Sequence, residues 1–154
     1  MHHTTEVGIR SSYFNPETKP FRPKASLLGA RRSRDGVMAG IYLVEDDPAT
    51  LRMVQLILES RSHAIVGTAT NAPDAKAGIA ATGPDLCIID ISLEHGTSGI
   101  DVAEFVIEKI GCPVIIMSGE DQPTLPVPFL LKPVSPRRLI KEVERHCQLE
   151  LKRP

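Results

Sequence analysis

The chain has no apolar run near the ~18 residues that a membrane helix requires. Residues 1–30 also lack the apolar core of a secretory leader. Its three cysteines, Cys87, Cys112 and Cys147, are far apart and form no CxxC pair, so neither a disulfide framework nor a cysteine zinc site is indicated. Buried thiols in a reducing cytoplasm are the expectation. Net charge is −1 over 154 residues, so there is no overall basic character to argue for nucleic acid. Neither a Walker A nor a GxGxxG phosphate loop occurs. What remains is a chain long enough for one domain with a core.

Charge is unevenly spread. Residues 1–37 carry seven Lys/Arg against three Asp/Glu, and the remainder carries eleven against sixteen. This first stretch has no apolar periodicity and contains Pro16, Pro20 and Pro23. It reads as a disordered basic tail, with Met38 as an alternative start, followed by one domain over 38–150.

From Gly40 onward, short apolar runs alternate with amphipathic stretches. Gly40–Val44, Ala64–Ala69, Leu86–Asp90, Pro113–Met117 and Phe129–Leu131 read as strands. Asp47-Pro48, Asn71 and Ser135-Pro136 read as helix starts, and Gly83 and Gly111 as stops. Leu51, Met53, Val54, Ile57 and Leu58 mark the inner face of the first helix. Such alternation predicts an α/β fold, a doubly wound five-stranded parallel sheet of order 2-1-3-4-5.

In a parallel sheet, strands one, three, four and five place Glu45-Asp46, Asp90, Ser118 and Lys132 on one edge. Converging carboxylates need a cation or a shared proton. All-oxygen donors suit Mg²⁺ better than zinc. Lys132 adds a point charge for a phosphate-sized anion, and Ser118 adds a hydroxyl. A carboxylate beside Mg²⁺ and a lysine is a nucleophile for phosphoryl transfer. Asp90 fits that role, since the acids at the end of strand one come as a pair suited to the metal. Each of these residues singly is an ordinary cap, turn or solvated side chain; the set is not. His95 stands alone in a loop and is expected to be solvated, and His2, His3, His63 and His146 have no partners that the sequence names.

The segments Ile41–Pro48, Pro84–Asp90 with Ser98-Gly99, Pro113–Gly119 and Phe129–Pro133 resemble, in order and spacing, the response-regulator receiver domain of two-component signalling. The resemblance covers residues 39–148 and implies a flavodoxin-like fold. It further implies that Asp90 is the phosphoacceptor and that Asp46 ligates Mg²⁺ directly, with Glu45 reaching it largely through water. The backbone carbonyl of Ser92 is the implied third protein ligand. Ser118 takes the switch hydroxyl position, and Lys132 that of the phosphate-binding lysine, with a cis bond to Pro133. Phe129 takes the switch aromatic position, Glu120 one that tunes dephosphorylation, and Gly119 one that leaves the site open to the phosphodonor.

Two departures from the family stand out. The loop from Asp90 to Gly99 is one residue longer, and the interval from Ser118 to Lys132 is short and proline-rich where the family carries a fourth helix. That helix is therefore expected to be shortened or replaced by a loop. A haloacid-dehalogenase-type phosphatase would need an Asp at position 92, where Ser92 stands. A cobalamin-binding domain would need a His at that same position. The expected function is a single-domain response regulator. It takes a phosphoryl group from a histidine kinase or phosphotransfer protein and signals through a protein partner in the cytoplasm. It is not an enzyme beyond its own phosphorylation and dephosphorylation. Only six residues follow Gln148, so direct DNA binding is not expected. The alternatives are a phosphorylation-independent adaptor and a phosphate sink or shuttle in a phosphorelay.

Overall fold

Every residue of Gly40–Val44 is buried, inside a five-stranded sheet whose hydrogen-bonded neighbours all run parallel. The computed structural model describes residues 31–33, 36–120 and 124–151. The strands are β1 (Arg31–Ser33), β2 (Gly36–Met38), β3 (Gly40–Val44), β4 (Ala64–Ala69), β5 (Leu86–Asp90), β6 (Val114–Ser118) and β7 (Phe129–Leu131). The helices are α1 (Pro48–Glu59), α2 (Ala72–Thr82), α3 (Gly99–Phe105) and α4 (Pro136–Leu151). A π-helical turn, Val106–Ile110, extends α3, and a short 3₁₀ turn spans Glu94–Gly96. The sheet order is β4-β3-β5-β6-β7, the order 2-1-3-4-5 expected for its five strands.

The strands read as continuous apolar runs because both faces are covered. Alternate residues point to opposite faces. Tyr42 and Val44 join Ile79, Ile89, Val102 and Ile116 beneath α2 and α3. Ile41 and Leu43 join Leu58, Ile88, Ile115 and Leu139 beneath α1 and α4. The helix starts follow the capping rule. The Asp47 carboxylate accepts from the Thr50 N–H at 2.9 Å, and the Asn71 side-chain oxygen accepts from the Asp74 N–H at 3.0 Å. Each such cap contributes about 1 kcal/mol. Gly111 is left-handed and ends the π-helical turn.

The structure departs from the sequence reading in three places. The tail expected through residue 37 includes an antiparallel pairing, Arg31–Ser33 with Gly36–Met38, immediately before the sheet. The remainder of the tail, residues 1–30, lies outside the described residues. Met53, placed on the inner face of the first helix, is 37% exposed. The helical spacing puts it beside the buried stripe of Val54 and Leu58 rather than on it. Third, the π-helical turn was not anticipated.

The proline-rich interval behaves as expected: among its described residues no helix forms. Leu125 is nevertheless buried and joins the core under α3, and the Ile116 N–H donates to the Pro128 carbonyl at 2.9 Å. All three cysteines are buried, and none of them is in a disulfide. Among the described residues, no helix is long and apolar enough to cross a membrane.

Candidate functional site

Parallel pairing brings the strand ends into register. Val44 pairs with Ile89, Asp90 with Met117, and Ser118 with Leu131. The residue following each strand, or its last residue, therefore opens onto one edge. There Glu45, Asp46 and Asp90 each offer an oxygen, and these oxygens lie within 4.8 Å of one another. Glu45 is 1% exposed and Asp90 5%. Lys132, carried in just after β7, places Nζ 2.7 Å from Glu45 Oε2 and 3.0 Å from Asp90 Oδ2. Its own N–H donates to the Ser118 carbonyl at 2.7 Å, which ties the lysine to the end of β6. The Lys132-Pro133 bond is cis.

The charges do not balance. Three carboxylates gather at an edge that holds one ammonium, which contacts two of them. Burial pushes Glu45 above its ordinary carboxylate value and Asp90 adds to that, against the hydrogen bonds from Lys132 and the Asp47 N–H. Burial pulls Lys132 down, but its bonds and attraction to Glu45 and Asp90 prevail and hold it above its ordinary value. The Glu45 direction is chiefly a burial effect, while the Lys132 direction expresses two carboxylates drawn to one cation. An all-carboxylate cluster with a lysine at its border fits a hard divalent cation such as Mg²⁺.

Ser118 is buried at the end of β6, and its Oγ accepts from the Glu120 N–H at 3.1 Å. Its own hydrogen is therefore the one it can give to an anion. Glu120 and Gly119 are exposed. A Cβ built on Gly119 would meet nothing within 4 Å, so this side of the edge is open. Ser92 is exposed and bridges to Ser98. Phe129 is half-buried against the core under α2 and α3. His95 is exposed in the loop after β5 with φ of 57°, consistent with a solvated residue.

Of the residues singled out in the sequence, Glu45, Asp46, Asp90 and Lys132 come together directly. Ser118 is joined to Lys132 through the backbone. Phe129 packs as a core side chain. Two supports went unread. A Cβ at Gly99 would overlap the Asp90 carbonyl oxygen, and the Gly99 N–H donates to the Ile91 carbonyl at 2.8 Å. Gly99 thus lets α3 start directly against the phosphoacceptor candidate; its place at the end of the longer loop was the available signal. The loop itself is pinned to the start of α2. The Thr70 hydroxyl donates to Glu94 at 2.8 Å, and the Ala72 N–H donates to Thr97 Oγ1 at 3.2 Å. Nothing in the local pattern marks those pairs, which lie 24 and 25 residues apart.

A family model described as the response regulator receiver domain matches residues 41–144. Among curated proteins, a protein-glutamate methylesterase/protein-glutamine glutaminase from Methanospirillum hungatei is 32% identical over 85 residues, 54% of this chain and 24% of that protein. Among solved structures, the response regulator PhyR from Brucella abortus superposes with a TM-score of 0.69 at 25% identity, covering 75% of this chain and 50% of that one. The receiver domain of PhyR from Erythrobacter litoralis gives 0.65 at 26% identity, covering 71% of this chain and 89% of that one. The chain spans less than half the length of the curated relatives it matches.

Proposed function

The chain belongs to the response regulator receiver family, and on that premise we propose that it accepts a phosphoryl group on Asp90 from a histidine kinase or histidine phosphotransfer protein. The single observation that carries this reading is the Lys132 ammonium, held at once by Glu45 at 2.7 Å and Asp90 at 3.0 Å. A carboxylate so placed has a cation beside it for the charge that arrives with the phosphoryl group.

An Asp90 oxygen attacks phosphorus of the donor phosphohistidine. The P–O bond of an acyl phosphate forms as the P–N bond breaks, and the electron pair returns to the imidazole. Lys132 exchanges its Asp90 contact for a phosphoryl oxygen. Ser118 turns its hydroxyl hydrogen towards another. Glu45, Asp46, Asp90 and the Ser92 carbonyl are the residues that would hold Mg²⁺, which when bound supplies further charge neutralisation. Gly119 leaves room for the donor, and Glu120 borders the path of water to the acyl phosphate. The protein catalyses only its own phosphorylation and dephosphorylation.

Output passes to a protein partner, by a shift of the existing equilibrium between two arrangements of β6, β7 and Phe129. We place the protein in the cytoplasm, where buried cysteines outside disulfides are at home.

The test is incubation of the full chain with acetyl phosphate and Mg²⁺, followed by intact mass. One phosphoryl adduct on the wild type and none on Asp90→Asn is expected. No adduct on the wild type, or one that persists in the variant, overturns the reading.

A further inference from the structure

At the opposite edge of the sheet lies an apolar groove of about 340 Å³, lined by Ile107, Val114, Leu125, Val127 and Pro128. It lies where α3 ends, β6 and β7 begin and the late part of α4 passes. Glu104 and Glu108, both exposed, stand among its lining residues and give it an acidic rim. His146 borders it as well; its Nε2 is shielded from solvent with no hydrogen-bond partner, and Glu142 is 3.6 Å away. The groove is as large as a small ligand site, yet it offers an apolar floor and an acidic rim rather than convergent polar groups. That combination suits a basic peptide segment with an apolar anchor.

We propose that the chain's own segment 18–30 occupies this groove, with Phe21 as the anchor. This goes beyond the phosphoacceptor reading and does not rest on it. Three observations carry it. The first is composition: the chain has four Phe and two Tyr in all, yet Tyr13, Phe14 and Phe21 precede the first described residue. A chain this poor in aromatics carries half of them in the sequence that precedes β1.

The second is charge. Residues 18–30 contain Lys19, Arg22 and Lys24 and no acid, the complement of Glu104 and Glu108. Leu27 and Leu28 add apolar area, and Pro20 and Pro23 around Phe21 lower the entropy lost on ordering.

The third is position. The segment runs straight into β1, whose partner β2 packs against α4. β2 leads into the amino end of β3, so it lies at the same edge of the sheet as the groove. Nine residues lie between Phe21 and Arg31, and the ten steps reach up to about 35 Å. A domain of this size has a radius of gyration of only about 13 Å. Seated there, the segment covers the face that the proline-rich interval presents. A partner that uses that face must then displace it.

The chain contains no tryptophan, so Phe21→Trp in the full-length protein creates a single emitter. Docking predicts blue-shifted emission and acrylamide quenching severalfold weaker than in urea, both independent of protein concentration. Adding Glu104→Lys and Glu108→Lys, exposed positions that leave the far-ultraviolet circular dichroism unchanged, moves emission and quenching to the values seen in urea. A solvent-exposed tryptophan in the single variant overturns the proposal. So does blue-shifted emission that the two lysines do not alter. A signal that grows with protein concentration assigns the groove to a second copy's segment and overturns docking within one chain.

Discussion

At the carboxyl edge, β5 and β6 end at Asp90 and Ser118, β3 leads into Glu45, and β7 leads into Lys132. At the amino edge, the same strands begin among hydrogen-bonded partners. The Gly40 N–H donates to Asp85 Oδ2 at 2.7 Å, the Ala39 N–H to His63 Nδ1 at 3.2 Å, and the Cys112 thiol to the Pro84 carbonyl at 3.3 Å. Cys87 and Cys112 face each other with sulfurs 3.8 Å apart, and burial pushes the Cys87 thiol well above its ordinary value. One edge thus gathers like charges that repel; at the other, the polar groups that open the strands are paired. Gathering buried carboxylates costs stability unless a cation offsets them. The carboxyl edge is therefore the place where function and stability diverge, and the amino edge the place where they do not.

The sharpest break in that comparison is Asp90→Asn. Phosphoryl acceptance is expected to vanish. Stability is expected to change by no more than about 1 kcal/mol, because one repelling charge leaves with one partner of Lys132. Intact mass and urea unfolding read the two halves separately. A variant that no longer folds would place Asp90 with the structural residues instead.

Gly99→Ala is expected to damage both. The added methyl overlaps the Asp90 carbonyl oxygen, and either α3 or the strand end must move. A loss of about 3 kcal/mol in urea, with slower acceptance of phosphoryl from acetyl phosphate, is the expected result. Gly119→Ala serves as the control: its Cβ meets nothing within 4 Å, and stability should be unchanged. Equal losses at both glycines would contradict the packing described.

Lys132→Met follows. It leaves Glu45 and Asp90 facing each other without their shared cation. Removing one partner of a fully buried pair costs about 3–5 kcal/mol. The Lys132 side chain is 22% exposed, so a loss on the order of 2 kcal/mol is expected here. Added Mg²⁺ should recover part of that loss, read as the thermal midpoint with and without the ion. A midpoint indifferent to both changes would mean that the carboxylates do not repel.

The carboxyl edge was the legible one. Parallel strands announce themselves as apolar runs, and a charge at the end of such a run has one place to go. Asp90 after Leu86–Ile89 and Lys132 after Phe129–Leu131 are therefore readable from the runs alone. Helix starts were legible for a similar reason, since Asp47-Pro48 and Asn71 act within three residues of themselves. What stayed hidden depends on residues distant in sequence. Gly99 looks like any turn glycine until the Asp90 carbonyl is set against it. Leu125 sits among prolines that exclude a helix, and nothing nearby says that it turns inward. His63 showed no partner because its partner is the backbone of Ala39, 24 residues earlier.

His63 gives the smallest effect and tests the amino edge directly. It is 5% exposed, and its Nδ1 must be unprotonated to accept from the Ala39 N–H. Burial lowers its pKa below the ordinary 6.5; Glu144 opposes this, and Arg61 adds to it. Between the lowered folded value and the unfolded value, the unfolded chain binds a proton that the folded chain does not. Stability from this site is therefore complete above about pH 6.5 and is lost as the pH falls through the folded value. His63→Asn keeps an acceptor near the same place and removes the titration. Urea midpoints from about pH 7.5 down to about pH 5.5 should fall more steeply for the wild type than for the variant. Parallel slopes would mean that the imidazole meets water freely, and that the satisfied edge is less closed than its hydrogen bonds indicate.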